Sequence, residues 1–187
     1  MQIRTPKQAL AVADSRSTNI PGACQAETRD YYGAPSVGDF DHDGAADAED
    51  GWKSEPATAK RFDRNPPLGY PVAFLGGSHD NGHRAISRGN GMVRSTDFDE
   101  NTRRYRAGVR GNGSIEEIER ALGVTYVGWS KTIDGIPIPP DPKPPKKIGW
   151  RVKKAQELIK GAARKPGTRR ANILEKIENL LSKVPGK

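Results

Sequence analysis

The chain of 187 residues has a single cysteine, so no internal disulfide can form and stability must come from a packed core or a bound metal. It has no long apolar run, which excludes a membrane-spanning helix. Residues 1–20 have no uninterrupted apolar stretch, since Lys7, Asp14 and Arg16 break the only alanine-rich patch. A secretory signal is therefore not expected, and synthesis in a cytosol is. Zinc-finger spacing, a phosphate-cradling glycine loop and an RNA-binding aromatic pair are all missing, so nucleic acid is not an expected partner.

Charge is unevenly placed. Residues 141–187 hold fourteen Lys+Arg against four Asp+Glu, while the first 140 residues hold seventeen against nineteen. The chain's net charge of +8 thus arises entirely in its tail. The proline-dense run Pro137-Ile138-Pro139-Pro140-Asp141-Pro142-Lys143-Pro144-Pro145 can continue neither a helix nor a central strand. Three segments follow: a domain over residues 1–136, a linker over 137–147 and a basic tail over 148–187. In the tail, Val152, Ala155, Leu158, Ile159 and Ala162 share one helical face. Ile173, Leu174, Ile177, Leu180 and Leu181 share another, across a turn at Lys165-Pro166-Gly167-Thr168. A basic helical hairpin is expected there.

Within the domain, Thr5-Pro6 opens a helix running to about Asp14, and a second helix is expected from about Ala23 to Gly33. Ser54-Glu55-Pro56 reads as a further helix start. Residues 70–75, 83–88, 92–98, 104–109 and 124–129 are short apolar or alternating runs bounded by Gly and Asn, and read as strands. Ser114-Ile115-Glu116-Glu117 is a capping box whose helix ends at Gly123. The order predicts an α+β fold with N-terminal helices and a mostly antiparallel sheet.

Cys24 follows Pro21-Gly22-Ala23 and precedes a helix-forming run, which places its thiol in a first helical turn. Free N–H groups and the helix dipole there favour the thiolate. A buried packing role is the alternative. The run Pro66-Pro67-Leu68-Gly69-Tyr70-Pro71-Val72-Ala73-Phe74 leads through a glycine-rich stretch to Gly82-His83-Arg84-Ala85-Ile86. This order of turn, buried strand, loop and Gly-His strand start, joined to Cys24-Gln25, resembles the CHAP family of cysteine, histidine-dependent amidohydrolases and peptidases. The resemblance covers residues 15–135, and Tyr126-Val127-Gly128-Trp129-Ser130 through Asp134-Gly135 is similar to wall hydrolases of phages infecting actinobacteria. Tyr70 stands where the family has an acidic residue, and no aromatic residue follows the cysteine until Tyr31-Tyr32.

The resemblance implies a papain-like CHAP fold and a peptidoglycan hydrolase, acting at lysis or as a virion component on the bacterial wall, with amidase or endopeptidase action. It implies Cys24 as nucleophile and His83 as its base. His79, in a glycine-rich loop, is the rival base. Asp97 is the candidate third residue on register grounds. A three-residue loop Gly89-Asn90-Gly91 would pair Arg88 with Met92 and set His83 opposite Asp97. The basic hairpin would meet anionic wall polymers or another phage protein.

Asp39-Phe40-Asp41-His42-Asp43-Gly44-Ala45-Ala46-Asp47-Ala48-Glu49-Asp50 carries carboxylates at loop positions 1, 3, 5, 9 and 12 with glycine at 6, as an EF-hand calcium loop does. Asp39, Asp41, Asp43, Asp47 and Asp50 are the expected side-chain ligands, and Ala45 supplies a backbone carbonyl. Calcium is the expected ion, braced against the Cys24 helix, and His42 occupies a non-ligand position. A solvated acidic loop is the alternative. A calcium-dependent binding module and an inactive hydrolase fold in a structural phage protein are the competing functions.

Overall fold

A computed structural model describes residues 2–77, 80–142, 154, 157–159 and 176–177. The chain forms two compact units, Met1–Asp141 and Pro142–Lys187. The first is α+β. Its helices are α1 (Pro6–Asp14), α2 (Cys24–Tyr32), α3 (Ala48–Lys53) and α4 (Ile115–Leu122). Its strands are β1 (Lys60–Arg61), β2 (Pro71–Gly76), β3 (His83–Gly89), β4 (Met92–Asp99), β5 (Arg104–Ser114) and β6 (Val124–Ser130), with a small ribbon of β7 (Thr132–Ile133) and β8 (Ile136–Pro137). The main sheet is antiparallel throughout, in the order β1-β6-β2-β3-β4-β5.

Local chemistry fixes most boundaries. Thr5 and Gln8 form a reciprocal capping box at α1, and Ser114 and Glu117 form another at α4. Helices α2 and α4 close on Gly33 and Gly123, both left-handed, where a side chain would be strained. The helix start expected at Ser54-Glu55-Pro56 is absent. Ser54 is instead the C-cap of α3, which begins earlier because Asp47 caps it and Asp50 reaches back to the Asp47 N–H. The capping pair outweighs the Ser-Glu-Pro signal, and Glu55 is buried as a hydrogen-bond acceptor.

Successive residues of β3, Ala85 and Ile86, enter different apolar clusters, as the pleat requires. One cluster joins Val72, Phe74, Val93 and Phe98 of the sheet to Ile115 and Ile118 of α4. The other joins Ile86 to Ala9, Leu10 and Ala13 of α1 and to Tyr31 and Tyr32 of α2. Each fully buried large side chain contributes about 1.5–3 kcal/mol to holding the sheet against the helices.

Residues 137–141, expected in the linker, belong to the first unit. Ile138 is buried in the α1–α2 cluster, and the Lys7 amide donates to Asp141 Oδ1 at 3.1 Å. In the second unit the described residues 154, 157–159 and 176–177 are helical; the rest of the expected hairpin lies outside the described residues. No helix among the described residues is long and apolar enough to cross a membrane.

Candidate active site

Helix α2 begins at Cys24, with Ala23 as an N-cap that offers no side-chain hydrogen bond. Its approach is held from elsewhere. Asp97 Oδ2 accepts the Gly22 N–H at 2.9 Å, and Asp97 Oδ1 accepts the Asn19 side-chain amide and the Gly108 N–H, both at 2.8 Å. Glu27 adds an acceptor for the Ile20 N–H at 3.1 Å. One carboxylate from β4 and one from α2 therefore fix the loop that delivers the cysteine.

His83 begins β3 and Cys24 begins α2, and both line one cavity of about 310 Å³ together with Asp97, Gly22 and Tyr105. A second cavity, of about 200 Å³, runs from Cys24 towards Ala45, Asp47 and Ala48. The two share Gly22, Cys24, Asn81 and Gly82. Cys24 thus lines both cavities. His79 lies outside the described residues.

The imidazole is oriented by a residue that the sequence reading passed over. His83 Nε2 lies 2.8 Å from Ser95 Oγ, and that hydroxyl donates to the Thr96 carbonyl at 2.9 Å. A hydroxyl has one proton, so Ser95 accepts from His83, which places the imidazole proton on Nε2 and leaves Nδ1 as the basic nitrogen. Ser95 is fully buried, two residues before Asp97 on β4.

The strand register explains why Ser95 and not Asp97 holds the ring. The turn between β3 and β4 has two residues, Asn90 and Gly91, both at positive φ, and Gly89 pairs with Met92. The expected Arg88 to Met92 pairing is absent. A register shift between Ser87 and Gly89 then restores the expected phase, with Ser87 opposite Val93 and Ala85 opposite Ser95. Asp97 itself sits at a second register shift, between Thr96 and Phe98 on the β5 side, with φ at 54°. The bulge turns its carboxylate to the loop before Cys24. Asp97 acts on the site through its charge, which raises the pKa of both Cys24 and His83.

Burial sets the protonation states. Desolvation pushes the Cys24 thiol up to about 11, against the opposing pull of the Arg84 and Gln25 backbone amides. Desolvation also holds the His83 imidazole down at about 4, with Asp97 opposing. The helix start was expected to favour thiolate, but loss of water outweighs the dipole at this depth. At neutral pH these two residues, which both line the first cavity, are therefore a thiol and a neutral imidazole.

The acidic loop divides into two halves. Asp39, Asp41 and Asp43 each offer an oxygen within 4.8 Å of the others. Asp47 and Asp50 lie outside that group because α3 uses them. Asp50 Oδ1 accepts the Phe40 and Asp41 amides at 2.7 and 2.9 Å, and its Oδ2 accepts the Asp47 N–H at 3.1 Å. Asp47 Oδ1 accepts the Glu49 and Asp50 amides at 2.8 and 3.2 Å, while its Oδ2 is buried without a partner. Ala45 donates its N–H to Asp43 Oδ1 at 2.9 Å. Lys53 pairs with Asp41 at 2.5 Å and with Glu49 at 3.2 Å, which offsets part of the loop's charge. Asp39, Asp41 and Asp43 form a group that could hold a cation, although Asp39 accepts the Asp43 and Gly44 amides at 3.1 and 3.0 Å; Asp50 lies outside that group and does not close it as an EF-hand residue at position 12 does.

Comparison with protein-family models, with curated proteins and with solved structures gives no match to this chain.

Proposed function

We propose that the first unit is a CHAP-type cysteine peptidoglycan hydrolase, cleaving one amide bond of the bacterial wall peptide. The observation that carries this reading is the meeting of Cys24, at a helix start, with His83, at a strand start, in one open cavity. A second cavity that Cys24 also lines would give an extended substrate more than one place to rest near the nucleophile.

The chemistry follows from the protonation states. Sγ of Cys24 adds to the amide carbonyl carbon as its proton passes to Nδ1 of His83. The tetrahedral adduct collapses with cleavage of the C–N bond, and the imidazolium returns its proton to the departing amine. The thioester is then opened by water, which gives a proton to His83 as its oxygen adds to the carbonyl. The C–S bond breaks, the thiol is re-formed, and the products are a carboxylic acid and an amine. Ser95 holds the ring through both proton transfers.

Calcium would be held by Asp39, Asp41 and Asp43, and would neutralise charge on the segment that leads into α3. The basic tail supplies a surface for anionic wall polymers or for another virion protein.

The test is loss of turbidity of purified actinobacterial cell walls, followed by mass spectrometry of the released fragments to name the bond. Activity that disappears in Cys24→Ser supports the reading. Wall hydrolysis that persists in Cys24→Ser, or none by the unaltered protein with or without calcium, overturns it in favour of a binding module or an inactive fold.

A further inference from the structure

The residues next to the nucleophile and the base in sequence are both buried and polar, and they meet beneath the site. Gln25 follows Cys24 and donates from Nε2 to Asp134 Oδ1 at 2.7 Å. Arg84 follows His83, and the pleat turns it to the opposite face of the sheet, under α2. Its Nη2 donates to Glu55 Oε1 at 2.8 Å and lies 3.6 Å from the same Asp134 oxygen that Gln25 uses. The side chains of Arg84, Glu55 and Asp134 are completely shielded from water.

Further bonds lock this group into the backbone. Glu55 accepts the amides of Asp134 and Gly135 at 3.1 Å each, and also the Thr132 hydroxyl. Asp134 and Gly135, both at positive φ, form the two-residue turn of the β7–β8 ribbon. Gly51 of α3 packs so closely that a β-carbon there would lie 2.2 Å from Gln25 Nε2. The thiol itself is faced by the backbone amide and the cation of Arg84 from β3, by the Gln25 amide from α2 and by the charge of Asp97 from β4.

A buried arginine with two carboxylates is a costly way to fill a core, and hydrophobic residues of similar volume often do so with equal or better stability. What this group has that an apolar filling lacks is direction. It ties the first turn of α2 to the first residues of β3 through one hydrogen bond, Gln25 to Asp134, and one 3.6 Å ion pair, Asp134 to Arg84. We propose that Gln25, Arg84 and Asp134 are positioning residues that set the separation and alignment of Cys24 and His83 from below. This assignment rests on the Cys24–His83 reading given above.

The chain's one cysteine makes the test clean. The rate of Cys24 alkylation by iodoacetamide is followed against pH in the intact protein, beside wall hydrolysis and the melting temperature. Gln25→Leu and Asp134→Leu cut the tie without removing the arginine. In a folded variant the expected result is an upward displacement of the alkylation profile and a fall in kcat of ~10-fold or more with KM little changed, the signature of lost alignment. Arg84→Lys, which keeps the charge but not the fork, should retain more of the parent profile than Arg84→Met. Where Arg84→Met does not fold, the Gln25 and Asp134 variants decide. A parental alkylation profile and kcat in both folded variants overturns the assignment. The two readings fail separately. A displaced profile in a protein that does not attack walls upholds the tie and sinks the hydrolase, while wall hydrolysis with an undisplaced profile does the reverse.

Discussion

The acidic loop and the Cys24–His83 cavity are built on opposite principles. Residues 39–50 are contiguous, so the sequence guarantees that their carboxylates are neighbours but not where they point. Asp47 and Asp50 belong to the EF-hand pattern and to a capping box at once, and in this structure the capping box holds them. Cys24, His83 and Asp97 are far apart in sequence, so nothing local guarantees that they meet. They meet because a helix start, a strand start and a bulge are each fixed by bonds of their own. Proximity along the chain is therefore a weaker guide to a working site than the number of constraints that aim each side chain.

The sharpest way to break this contrast is to remove the proposed base. His83→Ala should lower wall hydrolysis by at least ~10³-fold, since the proton acceptor for the thiol is gone. Retention of more than a tenth of the activity would transfer the role to another group. Ser95→Ala removes the hydroxyl that orients the ring and selects its tautomer, and a kcat loss of ~10-fold with unchanged KM is expected from steady-state kinetics.

On the loop side, Asp50→Ala should destabilise the domain by about 2–4 kcal/mol in thermal melts, with or without chelator. It strips an acceptor from three amides that are only part-buried, so water replaces some of these bonds and each loss stays near the lower end of the ~1–3 kcal/mol of an unsatisfied buried group. Asp43→Ala, by contrast, should leave the melting temperature in chelator nearly unchanged and abolish any rise on adding calcium. Equal losses in both variants under chelation would erase the distinction between the two halves of the loop.

A third measurement concerns pH. His83 has a folded-state pKa of about 4 against an ordinary 6.5, so the unfolded chain takes up that proton first as pH falls. Its contribution to stability is full above about pH 6.5 and declines towards pH 4, by on the order of 3 kcal/mol. Denaturant melts of the protein and of His83→Gln should diverge across that window. Cys24 shows the reverse at the alkaline end: its folded pKa of about 11 lies above the ordinary 9.0, and stability declines as pH rises through that interval. The smallest effect is expected at Tyr105, which lines the cavity but is 58% exposed. Tyr105→Ala should raise KM two- to fivefold, roughly the ~1 kcal/mol of a partly exposed aromatic contact, with kcat preserved.

Elements framed by caps and terminal glycines were legible in the sequence: Thr5 to Asp14, Ser114 to Gly123, and the helix closing on Gly33 all lie where those signals put them. The main strands were legible as short apolar or alternating runs bounded by Gly and Asn, although β5 runs on to Ser114, past the expected Val109. Competing signals were not. Ser54-Glu55-Pro56 carries the signature of a helix start, yet Asp47 and Asp50 had already fixed a helix ending there. The β3–β4 register came out in the expected phase through a different turn, because a two-residue turn and a one-residue shift together equal a three-residue loop. Ser95 could have been found, since the expected phase places it on the same face as Asp97 and beside His83. The pairing of Gln25 with Arg84 through Asp134 joins three distant segments, and no local pattern encodes it.

The absence of a side chain at Gly51 has a consequence for how this molecule can change. Helix α3 and helix α2 touch there through a backbone on one side and an amide side chain on the other. A larger residue at 51 would have to push the Gln25 amide aside, and moving that amide breaks the bond to Asp134. The acidic segment is therefore not a detachable module. Among descendants of this sequence, positions 25, 51 and 134 should drift together or not at all, and a loop grafted from elsewhere will be accepted only if it brings a glycine to that point of contact.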